Sequence, residues 1–377
     1  MRSLFIGMGW FPEESGGVNR YYYGSSRYLL KAGVDFQGLI TGSNQISATT
    51  PQFIQVFAPT KSSLLNRWRG IRQSLKQLNL AKYDLVVAHF ALYAFPILDL
   101  LKDLPLVFHF HGPWALESDA ENQQAFKVKF KKTLEQIVYR RASSFIVLSQ
   151  AFKNLLHQQY DVPLDKIHVV PGGVDLEQFE ISSSRNEART KLDWEQERTI
   201  IFCVRRLAQR MGLENLLEAM ALVKAKYPDI LLYIAGKGAL AETLQAQITK
   251  LDLTDNVRLL GYLPDEKLPI AYRAANFSIV PTVSFEGFGL IVIESLATGT
   301  PVLGTPVGGI PEILQPFCDD LLFEDAPVDK LAQGIIEVLS GKRQLPSSEA
   351  CQAYARDNYD WSVIAPQIKS VYERATK

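Results

Sequence analysis

Short apolar runs alternate with longer stretches in which apolar residues recur every three or four positions. In the first half the runs SLFIGM, VDFQGLI, DLVVAH, LVFHF, SFIVLS and IHVVP read as strands, with helical spacing around 64–79 and 121–141. The second half repeats this grammar with TIIFCV, ILLYIAG, VRLLG, FSIVP and TPVLG, and with helices near 213–226, 239–250, 289–298 and 326–340. Strands that are apolar on both faces belong in parallel sheets covered by helices. Two such series predict an α/β chain of two Rossmann-like domains, spanning 1–175 and 185–358. Pro171, Gly172 and Gly173 punctuate the break, and Ser182 to Ser184 read as linker. Open parallel sheets bind ligands beyond the carboxyl ends of their strands. Two such sheets are expected to face a central cleft, with the chemistry placed just after strands.

Composition narrows the class. The 377 residues are 47% hydrophobic and 21% charged, an ordinary globular balance. No apolar run reaches the roughly eighteen residues of a membrane span. The start MRSLFIGMGW goes from one Arg into a strand, without the features of a secretory signal. Cys203, Cys318 and Cys351 are far apart and odd in number, which argues against a disulfide framework and for a cytoplasmic location. The five histidines show no H-x-x-x-H or H-E-x-x-H spacing, so no metal site is expected. Neither a G-x-S-x-G elbow nor a P-loop occurs. Net charge is zero but unevenly spread: residues 1–171 hold 19 Lys+Arg against 12 Asp+Glu, and the remainder 21 against 28. Such a split suggests a different partner for each half.

Three places carry candidate chemistry. Gly16 and Gly17 precede a helical pattern that starts near Val18, and are either a flexible turn or a close approach to an anion at a helix amino end. Arg205, Arg206 and Arg210 cluster between a strand and a helix, as a solvated basic loop or as a phosphate grip. In SFEGFGLIVIESLATGTPV, Gly287 and Gly289 open a helix whose first amides can point at an anion. Glu286 would repel that anion and suits hydroxyls instead. Glu294 lies in a helix apolar on nearly every face, so its carboxylate needs a partner. An anion site flanked by two hydroxyl-reading carboxylates describes a nucleotide sugar. In PLVFHFHGPW, His109 and His111 alternate with Phe108 and Phe110, and His111 ends the strand as a structural residue or a catalyst.

Together these motifs resemble the family 4 retaining glycosyltransferases of GT-B fold (glycosyl transferases group 1). The likeness runs through Gly16-Gly17, HGPW at 111–114, PGGVDLEQF at 171–179, RRLAQRMGLENLL at 205–217, the Glu286/Glu294 pair and YDWSVIAPQIKSVYE at 359–373. The resemblance implies a hexosyltransferase of carbohydrate biosynthesis that uses a nucleoside-diphosphate sugar as donor, with no cofactor, no D-x-D metal and no nucleic acid. Gly16 or Gly17 would pack against the donor diphosphate, and Arg206 would bind it. Glu286 would contact the sugar and Glu294 the ribose. The amides of Gly287, Phe288, Gly289 and Leu290 would hold phosphate or sugar oxygens. Leu263 would meet the base, and His111 would lie beside the sugar near the acceptor. A C-terminal helix, 360–377, would return to the first domain from Trp361. The family often has glycine where Arg205 stands and lysine where Met211 stands, so Arg210 is the neighbouring candidate for a second cation. A sugar-nucleotide epimerase and a non-catalytic nucleotide-sugar-binding protein are the rival readings.

The basic excess of the first half lies in two helical stretches. Residues 61–78 carry Lys61, Arg67, Arg69, Arg72 and Lys76 opposite Leu64, Leu65, Trp68, Ile71, Leu75 and Leu78. Residues 126–141 carry six cations and the single acid Glu135. Basic amphipathic helices bind anionic membranes, but such helices also cover sheets. The expected acceptor is a sugar, a lipid-linked group or another hydroxyl, reached in the cytoplasm or peripherally at the inner membrane face.

Overall fold

Seven strands form one sheet: β1 (Arg2–Ile6), β2 (Asp35–Thr41), β3 (Ile54–Ala58), β4 (Leu85–Ala88), β5 (Leu106–Phe110), β6 (Ser144–Val147) and β7 (Ile167–Val169). Their order is β3-β2-β1-β4-β5-β6-β7, with every pairing parallel. Five more, β8 (Ile200–Val204), β9 (Leu231–Ala235), β10 (Val257–Gly261), β11 (Phe277–Val280) and β12 (Val302–Gly304), form a second parallel sheet in the order β10-β9-β8-β11-β12. This computed structural model describes residues 1–43, 45–46, 53–101, 103–121 and 123–377. It divides into two units, Met1–Gly173 with Trp361–Lys377, and Val174–Asp360. Residue 122, inside the helix expected at 121–141, lies outside the described residues; the helix itself runs Ala125–Arg141.

Strands β1, β4, β5, β6, β8, β9 and β11 form the buried centre of each sheet, as helices on both sides require, whereas β7 and β10 are edge strands partly open to solvent. In β5, Phe108 and Phe110 join the core with Tyr139, Phe145 and Phe152, while His109 faces Tyr21 and Tyr372 on the opposite side. Strand β3 was not among the expected runs. Its IQVFA carries Gln55 at the sheet edge, where the side chain accepts from Gln37 at 3.3 Å. Helix Trp361–Ala375 packs on helix Gly17–Lys31. Trp361 seats against Gly24 and Gly173, where an added Cβ would lie only 2.5 and 2.4 Å from its indole.

The two basic helices of the first unit differ. In Leu64–Gln77 the face holding Ile71 and Leu75 is buried, and the Trp68 indole donates to the Leu92 carbonyl at 2.9 Å. Two of its cations are paired with neighbouring side chains of the same unit, one of them at the surface. Arg67 donates to the Tyr93 hydroxyl at 2.8 Å, and Arg72 forms a bidentate pair with Asp99 at 2.6 and 2.8 Å. Helix Ala125–Arg141 buries Leu134, Glu135, Val138 and Tyr139. Its one acid therefore points inward, where Tyr160, Tyr139 and the Ala115 amide donate to it. Phe126, Phe130 and Ile137 share the outward face with Lys127, Lys129 and Arg140, and Phe126 is 69% and Phe130 49% exposed. The expectation that these apolar residues cover the sheet fails for this half of the helix, because its second stripe has no sheet beneath it.

Candidate functional site

The turn after β8 is built against its neighbours by backbone hydrogen bonds. Arg205 N donates to Ala235 O at 2.9 Å and Leu207 N to Lys237 O at 3.0 Å. Val283 N donates to Arg210 O at 3.0 Å, which ties this turn to the loop after β11. Three guanidinium groups thus come to one strand-end edge with Glu286, and they have three different placements. The Arg205 side chain, 8% exposed, lies with Nη2 2.6 Å from Glu286 Oε2, and Glu286 is itself 14% exposed. Arg205 Nη2 also donates to Thr282 Oγ1, whose hydroxyl reaches the same carboxylate oxygen at 3.3 Å. Arg210 Nη1 donates to Phe285 O at 3.0 Å. Phe285 has φ 53°, a left-handed conformation that costs a bulky residue energy, so this donor holds the turn in place. Arg206 is exposed.

Glu286 is followed by the amino end of helix Leu290–Ala297. Gly289 is its N-cap at φ 101°, a value glycine adopts without the Cβ penalty, and no side chain caps the helix. The carbonyl of Glu286 accepts from Gly309 N at 3.0 Å, which anchors the loop from the other side. Phe288 is buried, with its ring against Tyr359. Free amides at such an end favour an anion. One to two turns in, Glu294 is buried and Tyr272 donates to its Oε2 at 3.4 Å. Leu263 follows β10, two residues past Gly261, in the same unit. Arg205, Arg206, Arg210, Glu286 and Gly287 to Leu290 therefore gather at the ends of β8 and β11. Sequence reasoning overlooked Thr282 and Tyr272, whose only signals were a hydroxyl two residues after a strand and a tyrosine in a short helix.

Gly16, Gly17 and His111 belong to the first unit. Gly16 is the N-cap of helix Gly17–Lys31 at φ 129°, and a Cβ on either glycine would meet nothing within 4 Å. The histidines read as scattered along the sequence are not so in space. His89, His109 and His111 offer ligand atoms within 4.8 Å of one another, the one such group of His, Cys, Asp or Glu among the described residues. Parallel register causes this: Ala88 on β4 pairs with Phe108 on β5, so the next residues, His89 and His109, are neighbours. His89 Nδ1 lies 3.1 Å from His111 Nε2, and the ring nitrogens of His109 face the Tyr21 hydroxyl at 3.2 Å and the Tyr372 hydroxyl at 2.7 Å. The three rings lie within 25° of parallel, a stacked arrangement that aims their in-plane lone pairs poorly at a common ion. Burial pushes all three imidazoles well below their ordinary range, so they are neutral at pH 7.

Both halves of the chain match known protein families. The family described as Glycosyltransferase Family 4 matches residues 15–178, and Glycosyl transferases group 1 matches residues 184–358. An uncharacterized glycosyltransferase of Methanocaldococcus jannaschii is 28% identical over 247 residues, 64% of this chain and 63% of that protein, so the match spans less than two thirds of its length. A D-inositol 3-phosphate glycosyltransferase of Corynebacterium glutamicum is 25% identical over an alignment of 390 positions, 96% of this chain and 92% of the relative. Among solved structures, Anabaena HepE in complex with UDP-glucose superposes with a TM-score of 0.80 at 19% identity, covering 99% of this chain and 100% of that one. Its likeness concerns the fold. With both halves matched in order and two parallel-sheet α/β units in place, the chain belongs to the family 4 glycosyltransferases of GT-B fold.

Proposed function

We propose that this protein moves a hexose from a nucleoside-diphosphate sugar to an acceptor hydroxyl with retention of anomeric configuration. The observation that carries the reading is the gathering of Arg205, Arg206 and Arg210 beside Glu286 and an uncapped helix amino end, with the buried carboxylate Glu294 on that same helix. The relatives are named as glycosyltransferases, and the UDP-glucose bound to HepE supports the same donor class. Arg206 and the amides of Gly287 to Leu290 would take the diphosphate, Glu294 the ribose, Glu286 the sugar and Leu263 the base. In the first unit, the same reading gives Gly16 and Gly17 a role towards the diphosphate and His111 a role towards the sugar near the acceptor. Departure of the nucleoside diphosphate leaves an oxocarbenium-like sugar, and the acceptor attacks the face the leaving group occupied. Preorganised positive charge stabilises the developing diphosphate charge, usually the largest catalytic term. Thermal shift with UDP, GDP and ADP tests the donor class, since a ligand that binds the folded state raises its melting temperature by mass action.

The two carboxylates have separable roles. Free nucleoside diphosphate contains the ribose but not the sugar. Glu294→Ala is therefore expected to weaken its binding about 10- to 100-fold, the cost of losing hydrogen bonds to a charged group. Glu286→Ala slows turnover without a comparable loss of diphosphate affinity. Calorimetry beside steady-state kinetics checks this, and equal affinity losses in both variants would refute the assignment. Transfer needs no divalent metal in this reading, so activity persists in EDTA. Loss on chelation that Mg²⁺ or Mn²⁺ restores would contradict it.

The acceptor side would work against an anionic membrane surface, on a lipid-linked or other hydroxyl acceptor. The outward stripe Phe126, Phe130 and Ile137, flanked by lysines and with Glu135 turned inward, supports this. Each Lys or Arg near an anionic surface contributes about 1 kcal/mol, and apolar side chains add insertion. Co-sedimentation with anionic liposomes is expected at low salt and fades at high salt. Phe126→Ser with Phe130→Ser should reduce it. No sedimentation at low salt would leave a soluble acceptor.

A further inference from the structure

The Arg205–Glu286 pair sits at the point where an anion is expected. Arg205 Nη2 is taken up by Glu286 and Thr282, but Arg205 Nε is buried with no hydrogen-bond partner. An unpaired donor on a buried guanidinium costs free energy, and in a binding site it marks a place a ligand can fill. The Glu286 carboxylate pairs with Arg205, and other positive groups lie nearby in the same two loops. Arg210 donates to the carbonyl of the preceding residue, Arg206 shares the turn with Arg205, and the uncapped helix amino end begins directly after Gly287 and Phe288. A carboxylate in that position resembles the phosphate oxygen of a ligand. It also cannot serve sugar hydroxyls fully while one oxygen is held at 2.6 Å by a guanidinium.

We propose that Arg205 is exchanged between Glu286 and the diphosphate of the bound nucleotide. In the ligand-free protein Glu286 occupies the guanidinium. An arriving diphosphate competes for Arg205, takes up its Nε, and releases Glu286 to accept hydrogen bonds from hydroxyls. The exchange couples recognition of the anion to recognition of the sugar through one ion pair. It rests on the donor-site reading above and assigns a ligand role to a residue that reading leaves out. A plain structural ion pair behaves differently: removing either partner then weakens the site in the same direction. In the exchange, the two partners act with opposite sign, because Glu286 competes with the ligand and Arg205 binds it.

The test is calorimetric affinity for whichever of UDP, GDP and ADP binds, and for its monophosphate, with a melting curve for every variant. Glu286→Gln is expected to tighten the free diphosphate about 3- to 10-fold by removing the competitor, and Arg205→Gln to weaken it about 10- to 100-fold, the scale of a charge-assisted contact. Arg205→Lys, which keeps the charge, should recover most of that loss. Monophosphate affinity should change less than about 3-fold in every variant, because the exchange acts on the distal phosphate. If Arg205→Gln fails to fold, the sign of the Glu286→Gln effect decides. Weakening by both Glu286→Gln and Arg205→Gln, or equal effects on mono- and diphosphate, would overturn the exchange while leaving the donor site intact. Failure of the wild-type protein to bind any of the three diphosphates would instead remove the donor-site reading, and the exchange with it.

Discussion

Replacing Arg206 by alanine lowers turnover of the sugar donor about 10²- to 10³-fold, the scale of losing one preorganised donor to a developing charge. The expectation follows from position. Arg206 is exposed on the turn after β8, next to a guanidinium committed to Glu286 and close to one that donates to the Phe285 carbonyl. Because it is exposed, its removal should shift stability by no more than about 0.5 kcal/mol, so the kinetic loss would not be a folding loss. Arg210→Ala tests the alternative that this side chain supplies the charge. Its guanidinium steadies a left-handed Phe285, so its loss should lower both affinity and melting temperature. Normal turnover in Arg206→Ala would transfer the leaving-group role to Arg205 or Arg210.

The second large effect is acid lability of the first unit. His89, His109 and His111 are held neutral by burial, with folded-state values below that of the unfolded chain. Below pH about 6.5 the unfolded chain binds protons that the folded chain refuses, so stability falls as pH falls. Between pH 7 and 5.5 all three imidazoles act in this one direction, each on the order of 1 kcal/mol. Glu135 acts in the opposite sense. Burial raises its carboxyl to about 7, so the folded state takes up its proton first and stability gains as pH falls through that range. One raised carboxyl offsets part of the effect of three lowered imidazoles, and the net expectation is a loss of stability towards pH 5.5. Urea midpoints at pH 7 and 5.5 measure it. His89→Phe should reduce the pH dependence, and an unchanged or higher midpoint at pH 5.5 would show that the imidazoles are not held neutral.

The sheets were legible because both-face-apolar runs such as IIFCV and LLYIA admit few other placements. The Gly16-Gly17 helix start and the buried helix at Leu290–Ala297 were legible from glycines meeting apolar periodicity. Strand β3 escaped because its alternating Gln55 reads as surface, and that polarity is satisfied only by Gln37 on the neighbouring strand. The contacts within the site were not legible, because they join residues far apart in sequence. Arg205 and Glu286 meet across 81 positions, and His89 meets His111 through the register of two parallel strands. Charge counting also misjudged the basic helices. It could not see that Arg72 finds Asp99 or that Glu135 turns inward, and these two facts separate a helix that packs from one that presents lysines and phenylalanines to solvent.

The edge formed after β8 and β11 is proposed to be a nucleotide-sugar donor site that performs transfer. Release of nucleoside diphosphate from a panel of UDP-, GDP- and ADP-sugars by the full chain, with water or anionic lipid as acceptor, tests it most directly. Turnover of at least one donor is expected, with a raised KM for it in Glu294→Ala. Binding of a diphosphate with no release from any donor, or release unaffected by both Glu294→Ala and Arg206→Ala, would contradict it.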